Sequence, residues 1–515
     1  MPSSPCAAFI LRQYPPLGRY RQARLGSFPA QPFNPRPRPA DRGMGAKGKR
    51  MSHVFRRSLS KWVTSAHAGI RGTDCSAEFA HLRRLEWTDE QGIRAWQGRR
   101  LRDRLEIWSQ RIPFYRQHLS QEAARLDRPV STLLDEMAHS GCLNHLPYMD
   151  KAAIRAAGSD LEVEGADRRH LRRNHTGGST GEVLHFLQNR TDERWMHAGV
   201  RLWREMLGLH AHCRTAQIWG ASIEASTAGD ARARLIRWLL HTQFHSTYGL
   251  SRERRREVVS AIHAFQPELL IGYPSSLSAF LPDVLELSKP RFPTLQAIWS
   301  ASETLLPGMR EDLQAGFGAP VFNNYGSREF GPLAMECPAH EGLHLLEGTY
   351  LFEFLPVAEG LSEIIVTDLK NDVMPLIRYR TGDLAQGDPI PCSCGRGFRL
   401  IRGLEGRTFD LIRGADGEVV TGTFWTLLLR SRPGVRRFQV VQEDWKDFVI
   451  RLECSAEFQP AALEFYRDQI QLQFHSPVRV EFRLDDPIQM LGSGKFRFIQ
   501  SRLAPQVMAP QQEVP

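Results

Sequence analysis

No stretch of this chain holds the roughly 18 consecutive apolar residues that a membrane-spanning helix requires, so a membrane partner is not expected. Cysteine is sparse. Its 8 positions (6, 75, 142, 213, 337, 392, 394 and 454) form no disulfide framework, and reduced thiols in the cytoplasm are the expectation. There is no internal repeat. No Lys follows the last glycine of the main glycine-rich loop, which excludes a P-loop of the G-x-x-x-x-G-K-[ST] type. The net charge of +10 suggests nucleic acid only until it is located. Residues 1–50 carry eight Arg and two Lys against Asp41, so they hold +9 and the remainder about +1. A body so near neutral lacks the basic surface that nucleic-acid binding needs, and no such partner is expected. Residues 1–50 are also rich in proline, with Pro35, Pro37 and Pro39 in a run, and read as a disordered basic extension. It is a targeting peptide or, the preferred reading, sequence upstream of a true start at Met44 or Met51. Arg56-Arg57 is a weak twin-arginine match, since no apolar segment follows it.

What is present is enough apolar sequence, 42%, for a large core in two to four domains. Residues 75–144 read as helical, with Leu101, Leu105, Trp108 and Ile112 at three-to-four spacing and Trp87, Trp96 and Trp108 as core anchors. Pro113-Phe114-Tyr115 interrupts the pattern, and a new helix is expected from Ala152, after Leu146-Pro147. From there to about residue 400 strands at 182–186, 215–219, 269–273, 295–300 and 321–325 alternate with helices at 253–265, 276–288 and 307–317. Such alternation predicts α/β layers on a largely parallel sheet, with ligands at the carboxyl ends of its strands. Residues 350–383 turn β-rich: strands 351–355 and 363–367 pair, and a third ends in a turn at Asp383. Past Gly406-Arg407 comes a small α/β unit, with strands 437–442, 448–454 and 478–484 and a helix at 460–474.

The stretch around which the chain is organised is His175-Thr176-Gly177-Gly178-Ser179-Thr180-Gly181. Glycines let successive backbone N–H groups turn toward one point, and such concavities bind anions. The Ser and Thr hydroxyls add donors for phosphate oxygens. Alone it is equally a mobile surface loop. The same holds for three later elements. Glu329, in Tyr325-Gly326-Ser327-Arg328-Glu329, could simply favour a helix start. Asp383, in Tyr379-Arg380-Thr381-Gly382-Asp383, could be a turn acid, and Lys495, in Gly492-Ser493-Gly494-Lys495, a solvated lysine.

In this order and at these separations the four blocks resemble the adenylate-forming superfamily of acyl-CoA synthetases, adenylation domains and luciferases. Within it the chain is most similar to the phenylacetate-CoA ligase branch with its CapK-like proteins, over about residues 95–503. The resemblance implies an α/β protein with a large multi-layer N-terminal domain, residues 51–405, and a small mobile α+β C-terminal domain, residues 406–503, followed by a polar tail at 504–515. It implies activation of a small-molecule carboxylic acid by ATP as acyl-AMP, then thioester formation with coenzyme A. Thr176, Gly177, Gly178, Ser179, Thr180 and Gly181 would cradle the phosphates, with Ser179 and Thr180 at the β and γ groups. Glu329 would ligate Mg²⁺, which needs few carboxylates beside phosphates. Ser302, Glu303, Asn324, Tyr325, Gly326 and Ser327 would line the nucleotide site, with Tyr325 on the adenine. Asp383 would accept the ribose hydroxyls from a strand end, Arg407 would contact phosphate or ribose, and Lys495 would meet the α-phosphate and carboxylate oxygens. Arg328 departs from the usual Thr or Ser, and Phe409 from the usual hinge Asp or Lys. The acyl pocket falls near Tyr273 and residues 219–221 and matches no nameable substrate class.

Cys337, His344, Cys392 and Cys394 fall in one β-rich region, and three thiolates with an imidazole make a tetrahedral set for a structural Zn²⁺. His340 could replace His344, and the alternative is four unconnected groups. A homodimer is a further expectation. The rivals to the CoA ligase are an adenylate-forming enzyme that passes the acyl group to an amine, hydroxyl or carrier protein, as in polysaccharide biosynthesis, and an inactive ligase-like scaffold.

Overall fold

The computed structural model describes residues 72–503 apart from 169–170, 177–183, 220–240, 247–250, 307, 431, 433, 485, 487 and 489–497. The described residues begin with the helices α1 (Ser76–Leu85), α2 (Glu90–Arg111), α3 (Pro113–Arg125) and α4 (Val130–Ser140). Asp89 caps α2 by accepting from Gly92 N, and Pro113 opens α3 at a position where its missing N–H costs nothing. Leu101, Leu105, Trp108 and Ile112 are all buried, as their spacing requires. Trp87 is not a core anchor: it is 57% exposed, in the corner between α1 and α2, under the Arg396 guanidinium. Helix α5 (Lys151–Ala157) starts one residue earlier than expected because Asp150 is its cap.

A hairpin of β1 (Arg172–His175) and β2 (His185–Gln188) leads into α6 (Arg190–Met206). The main sheet follows. Its parallel strands are β3 (Thr215–Trp219), β4 (Thr242–Ser246), β5 (Leu269–Gly272), β6 (Ala297–Ser300) and β7 (Val321–Ser327). Helices α7 (Arg252–Phe265), α8 (Pro274–Leu285) and α9 (Met309–Phe317) are the crossovers between β4 and β7. Strands β8 (Gly331–Glu336) and β9 (Leu343–Leu345) then extend the sheet antiparallel from β7. Ala216, Ile218, Leu270, Ile298 and Val321 pack with Val258, Phe280 and Phe317 in one layer, while Trp203 of α6 and the entry helices close the main core. Burial on both faces explains why these strands read as continuous apolar runs.

A second, antiparallel sheet holds β10 (Tyr350–Ala358), β11 (Leu361–Asp368), β12 (Tyr379–Gln386) and, after β13 (Leu400–Ile401) has closed the edge of the main sheet, β14 (Leu404–Arg407). Residues 379–386 form one strand, so Asp383 lies inside β12 and not at a strand end. Gly382 absorbs the irregularity at φ +75°, and the register of β11 against β12 shifts there.

The C-terminal domain has its own core. After the short pair β15 (Ile412–Arg413) and β16 (Val419–Val420) come α10 (Gly422–Arg430), β17 (Val435–Asp444), β18 (Asp447–Cys454), α11 (Ala462–Gln471), β19 (Arg479–Leu484) and β20 (Ile499–Ser501). The sheet order is β19-β18-β17-β20, and Trp425, Phe438, Val440, Ile450, Tyr466 and Ile470 are buried between sheet and helices.

Candidate functional site

The sequence of the glycine-rich loop lies between the paired strands β1 and β2, where His175 faces His185. Thr176 closes its base: its N–H donates to Leu184 O (2.9 Å), and its hydroxyl accepts from Leu184 N (3.0 Å). Thr176 is buried in this closure. Gly177, Gly178, Ser179, Thr180, Gly181 and Lys495 lie outside the described residues.

Below the hairpin, β7 ends in a tight turn to β8. Ser327 Oγ accepts from Phe330 N (3.3 Å), so Arg328 and Glu329 are presented in a turn and not at a helix start. Only glycine fits at 326, where a Cβ would lie 2.5 Å from Gly331 O. Asn324 donates to Ala334 O (3.3 Å) on β8. Tyr379 Oη donates to Glu329 Oε1 (3.3 Å), and Gln188 Nε2 donates to Glu329 O (3.4 Å), so the turn is held from β12 and from β2. Burial, together with the adjacent Glu329, pushes the Tyr379 hydroxyl well above its ordinary value, so it is a donor at any working pH.

Beside this turn Asp383 joins three elements. Its Oδ2 accepts from Tyr325 Oη (2.9 Å) on β7, and its Oδ1 faces Arg407 Nε (3.0 Å) on β14, across the Asp383–Arg407 pair. Thr381 Oγ1 accepts from Asp383 N (3.1 Å) and donates to Ile364 O (2.7 Å), which fixes the irregular segment. Burial pushes the Asp383 carboxyl up and Arg407 opposes it. Burial acts to depress Arg407, but Asp383, Tyr325, Asp410 and Glu329 carry it above the usual guanidinium value. Each carboxylate oxygen has two lone-pair directions, so one on each remains after Tyr325 and Arg407 are satisfied. Asp383 therefore fits a diol, and the Tyr325 ring is fixed by its own hydroxyl.

At the carboxyl end of β6, Ser302 is exposed at φ +67°, and Glu303 Oε2 accepts from Ser275 N (3.1 Å) at the start of α8. Glu303 thus caps a helix whose N-cap residue, Tyr273, supplies no side-chain cap of its own. Trp219, at the end of β3, and Tyr273, after β5, meet with ring centroids 4.6 Å apart and planes tilted by 47°. Residues 220–221, the rest of the expected acyl pocket, lie outside the described residues.

A separate cluster unites Cys337 after β8, His344 on β9, and Cys392 and Cys394 before β13, with ligand atoms all within 4.8 Å of one another. The Cys337 and Cys392 sulfurs are 3.8 Å apart, and Cys394 Sγ is 3.4 Å from His344 Nε2. His344 Nδ1 lies 2.6 Å from Phe398 O, to which it donates, leaving Nε2 directed at the thiols. Ala339 N and Cys394 N donate to the Cys337 and Cys392 sulfurs (3.4 and 3.5 Å). A hydrogen bond from Cys337, with others from His344 and Arg396, holds the Cys394 thiol well below the ordinary thiol value, while burial pushes Cys392 up. His340 does not take part: it stacks on Phe322 and meets Glu336 and Arg310.

Residues 412–502 match the family model for the CapK C-terminal domain. Protein CapK of Staphylococcus aureus is 24% identical over 363 residues, 69% of this chain and 79% of that protein. The chain is thus similar to the CapK-like branch of the adenylate-forming superfamily. The phenylacetate-coenzyme A ligase of Thermus thermophilus is 28% identical over 194 residues, 36% of this chain and 44% of that enzyme's length. The adenylate-forming fold is also that of a 2-hydroxyisobutyryl-CoA ligase solved in the postadenylation state, with a TM-score of 0.60, 18% identity and coverage of 83% of this chain and 92% of the other. Two features of this site escaped sequence reasoning. Tyr379 sits in a recognised block, but only contact shows that it serves Glu329. Gln188, just before the Asn189 cap of α6, carries no local signal of its reach to residue 329.

Proposed function

We propose that this protein activates a carboxylic acid with ATP and Mg²⁺, in the cytoplasm, and transfers the acyl group to the thiol of coenzyme A. The observation that carries the reading is the Tyr325–Asp383–Arg407 cluster beside the Tyr379–Glu329 pair, at the foot of the glycine-loop hairpin. In the first step a carboxylate oxygen of the acid bonds to the α-phosphorus of ATP. The bond from that phosphorus to the bridging oxygen breaks, and pyrophosphate leaves. In the second the thiolate sulfur bonds to the acyl carbon, the bond to AMP breaks, and the thiol proton passes to solvent. Tyr325 and Asp383 hold adenine and ribose, and Arg407 opposes the burial that raises the Asp383 carboxyl and meets the phosphate or ribose. Glu329, oriented by Tyr379, is the carboxylate that would hold Mg²⁺, which when bound neutralises phosphate charge. Ser179, Thr180 and Lys495 act on the phosphates. The large domain ends and the mobile small domain begins at residues 405–406.

We assign a structural Zn²⁺ to the Cys337, His344, Cys392 and Cys394 cluster. The donor set is complete and mostly buried, a backbone carbonyl fixes the imidazole tautomer, and two backbone N–H groups support the sulfurs.

The test is pyrophosphate release from ATP and Mg²⁺ with a panel of aryl, short, long, amino and sugar acids, first without and then with coenzyme A. Release that depends on one acid and disappears in Lys495→Ala is the expected result. Thioester on adding CoA completes the reading. Acyl transfer to an amine, hydroxyl or carrier thiol in its place moves the protein to the other acceptor class. No release with any acid, while ATP binds, favours the inactive scaffold.

A further inference from the structure

Outside the site the most unusual chemistry is a buried charged knot in the link between β11 and β12. Lys370 is 1% exposed, and its Nζ lies 2.8 Å from Asp368 Oδ2 and 3.2 Å from Asp192 Oδ1, carboxylates that are themselves buried. A lysine is almost never so deep without partners, and charges there persist only when satisfied together. The other polar atoms of the knot hold chain. Asp368 Oδ1 accepts from Lys370 N (2.8 Å) and Asn371 N (3.3 Å). Asn371 Oδ1 accepts from Val373 N and Met374 N (2.8 Å each), which leaves its Nδ2 to donate to Leu187 O (2.9 Å). Asp192 completes the capping box of α6 by accepting from Asn189 N (2.9 Å). Arg100 of α2 donates to Leu369 O (3.2 Å) from the opposite side.

These bonds converge on one corner of the chain, residues 187–192, where β2 turns into α6. Leu187 is gripped by Asn371 and Asp192 by Lys370. Between them Gln188 reaches Glu329 O with its Nε2, and its Oε1 accepts from Asn174 Nδ2 (3.2 Å) on β1. The same corner therefore sets both the hairpin and the Glu329 turn. We propose that Asp368, Lys370 and Asn371 are positioning residues that hold the β1–β2 hairpin and the Glu329 turn in the register needed for ATP·Mg²⁺. The proposal rests on the ligase reading above. It adds that nucleotide affinity is set partly by side chains that never touch nucleotide.

The decisive variant is Asn371→Asp in the full-length chain. It keeps the acceptor for Val373 and Met374 but places an oxygen against Leu187 O and so cuts the link to the hairpin, while adding a buried carboxyl beside Asp368 whose effect on folding is read from the melting temperature. Calorimetric titration with ATP·Mg²⁺ is expected to show affinity weakened by about tenfold to a hundredfold, the scale on which small misplacements act. Val440→Ala, in the C-terminal core, is the control: it lowers the melting temperature and leaves the affinity within about twofold. Should Asn371→Asp fail to fold, Gln188→Met carries the same expectation, because it removes the bond to Glu329 O with an unbranched side chain of similar length. Wild-type affinity in either folded variant overturns the proposal. A wild-type chain that binds no ATP·Mg²⁺ overturns the ligase reading and this proposal with it, and is recognised without any variant.

Discussion

Asp383 shows how much one partly buried carboxylate can organise. Tyr325 and Arg407 meet it from different strands, and burial keeps its carboxyl above the ordinary value. Tyr325→Phe keeps the ring and removes the donor, leaving an acceptor short of one bond in the interior. We expect a loss of about 1–3 kcal/mol in urea unfolding, with AMP affinity reduced less than in Asp383→Asn, where the ionised acceptor for a ribose is lost as well. Equal affinity in wild type and Asp383→Asn would remove Asp383 from the site. At this scale the sequence marked Tyr325, Glu329 and Asp383 by short blocks and Arg407 by its place at the domain junction, and the structure joins Tyr325, Asp383 and Arg407 in one cluster. The sequence was silent where a residue serves another at a distance. Tyr379 and Glu329 stand fifty positions apart, and no spacing rule links them.

Elements were legible in proportion to their periodicity. The strand at 215–219 and the crossover helices emerge within a few residues of their expected bounds, because apolar runs between turn signals leave little choice. The segment 375–386 was misread because Thr381-Gly382-Asp383 carries turn chemistry, yet here the glycine builds an irregularity inside β12. Gly382→Ala tests that account. The nearest atom to an added Cβ is Thr408 Oγ1 at 3.6 Å, ordinary contact, so crowding is not the issue and the φ of +75° is. The expected cost is about 1–3 kcal/mol of backbone strain, read by thermal unfolding, with AMP affinity falling as Asp383 shifts. The Cys/His cluster makes a prediction of the same rank, since it joins the β8 end, β9 and the segment before β13. Zinc should co-purify at one equivalent per chain by mass spectrometry, and Cys394→Ser or chelation should lower the melting temperature by several degrees, on the order expected for a structural zinc. Metal-free protein with an unchanged melting temperature would leave three thiols and an imidazole that merely pack.

For the whole molecule, the order of the blocks along the chain carried the fold and the family, while the contacts between lobes were not legible, because they form between residues whose local patterns are independent. Glu405 is one such contact. It lies on β14, accepts from Gln386 Nε2 on β12 and from Thr421 Oγ1 (3.4 Å) at the start of α10, and so ties the second sheet to the helix that anchors the C-terminal core. Burial raises its carboxyl above the ordinary value, against the pull of the Gln386, Thr421 and Thr423 hydrogen bonds. A raised folded-state value means that the folded chain binds the proton more tightly than the unfolded chain. Its contribution to stability is therefore greatest below the ordinary carboxyl range and is lost as pH rises through the raised value. Glu405→Gln replaces the group by an amide that stays neutral and can still accept from Gln386. Melting temperatures of the two proteins should converge in acid. The variant should gain on the wild type as pH rises through the raised value and hold a constant lead beyond it. A difference that does not change with pH would mean that the Glu405 carboxyl titrates alike in folded and unfolded chains, and that the junction is held by geometry without a cost for the charge.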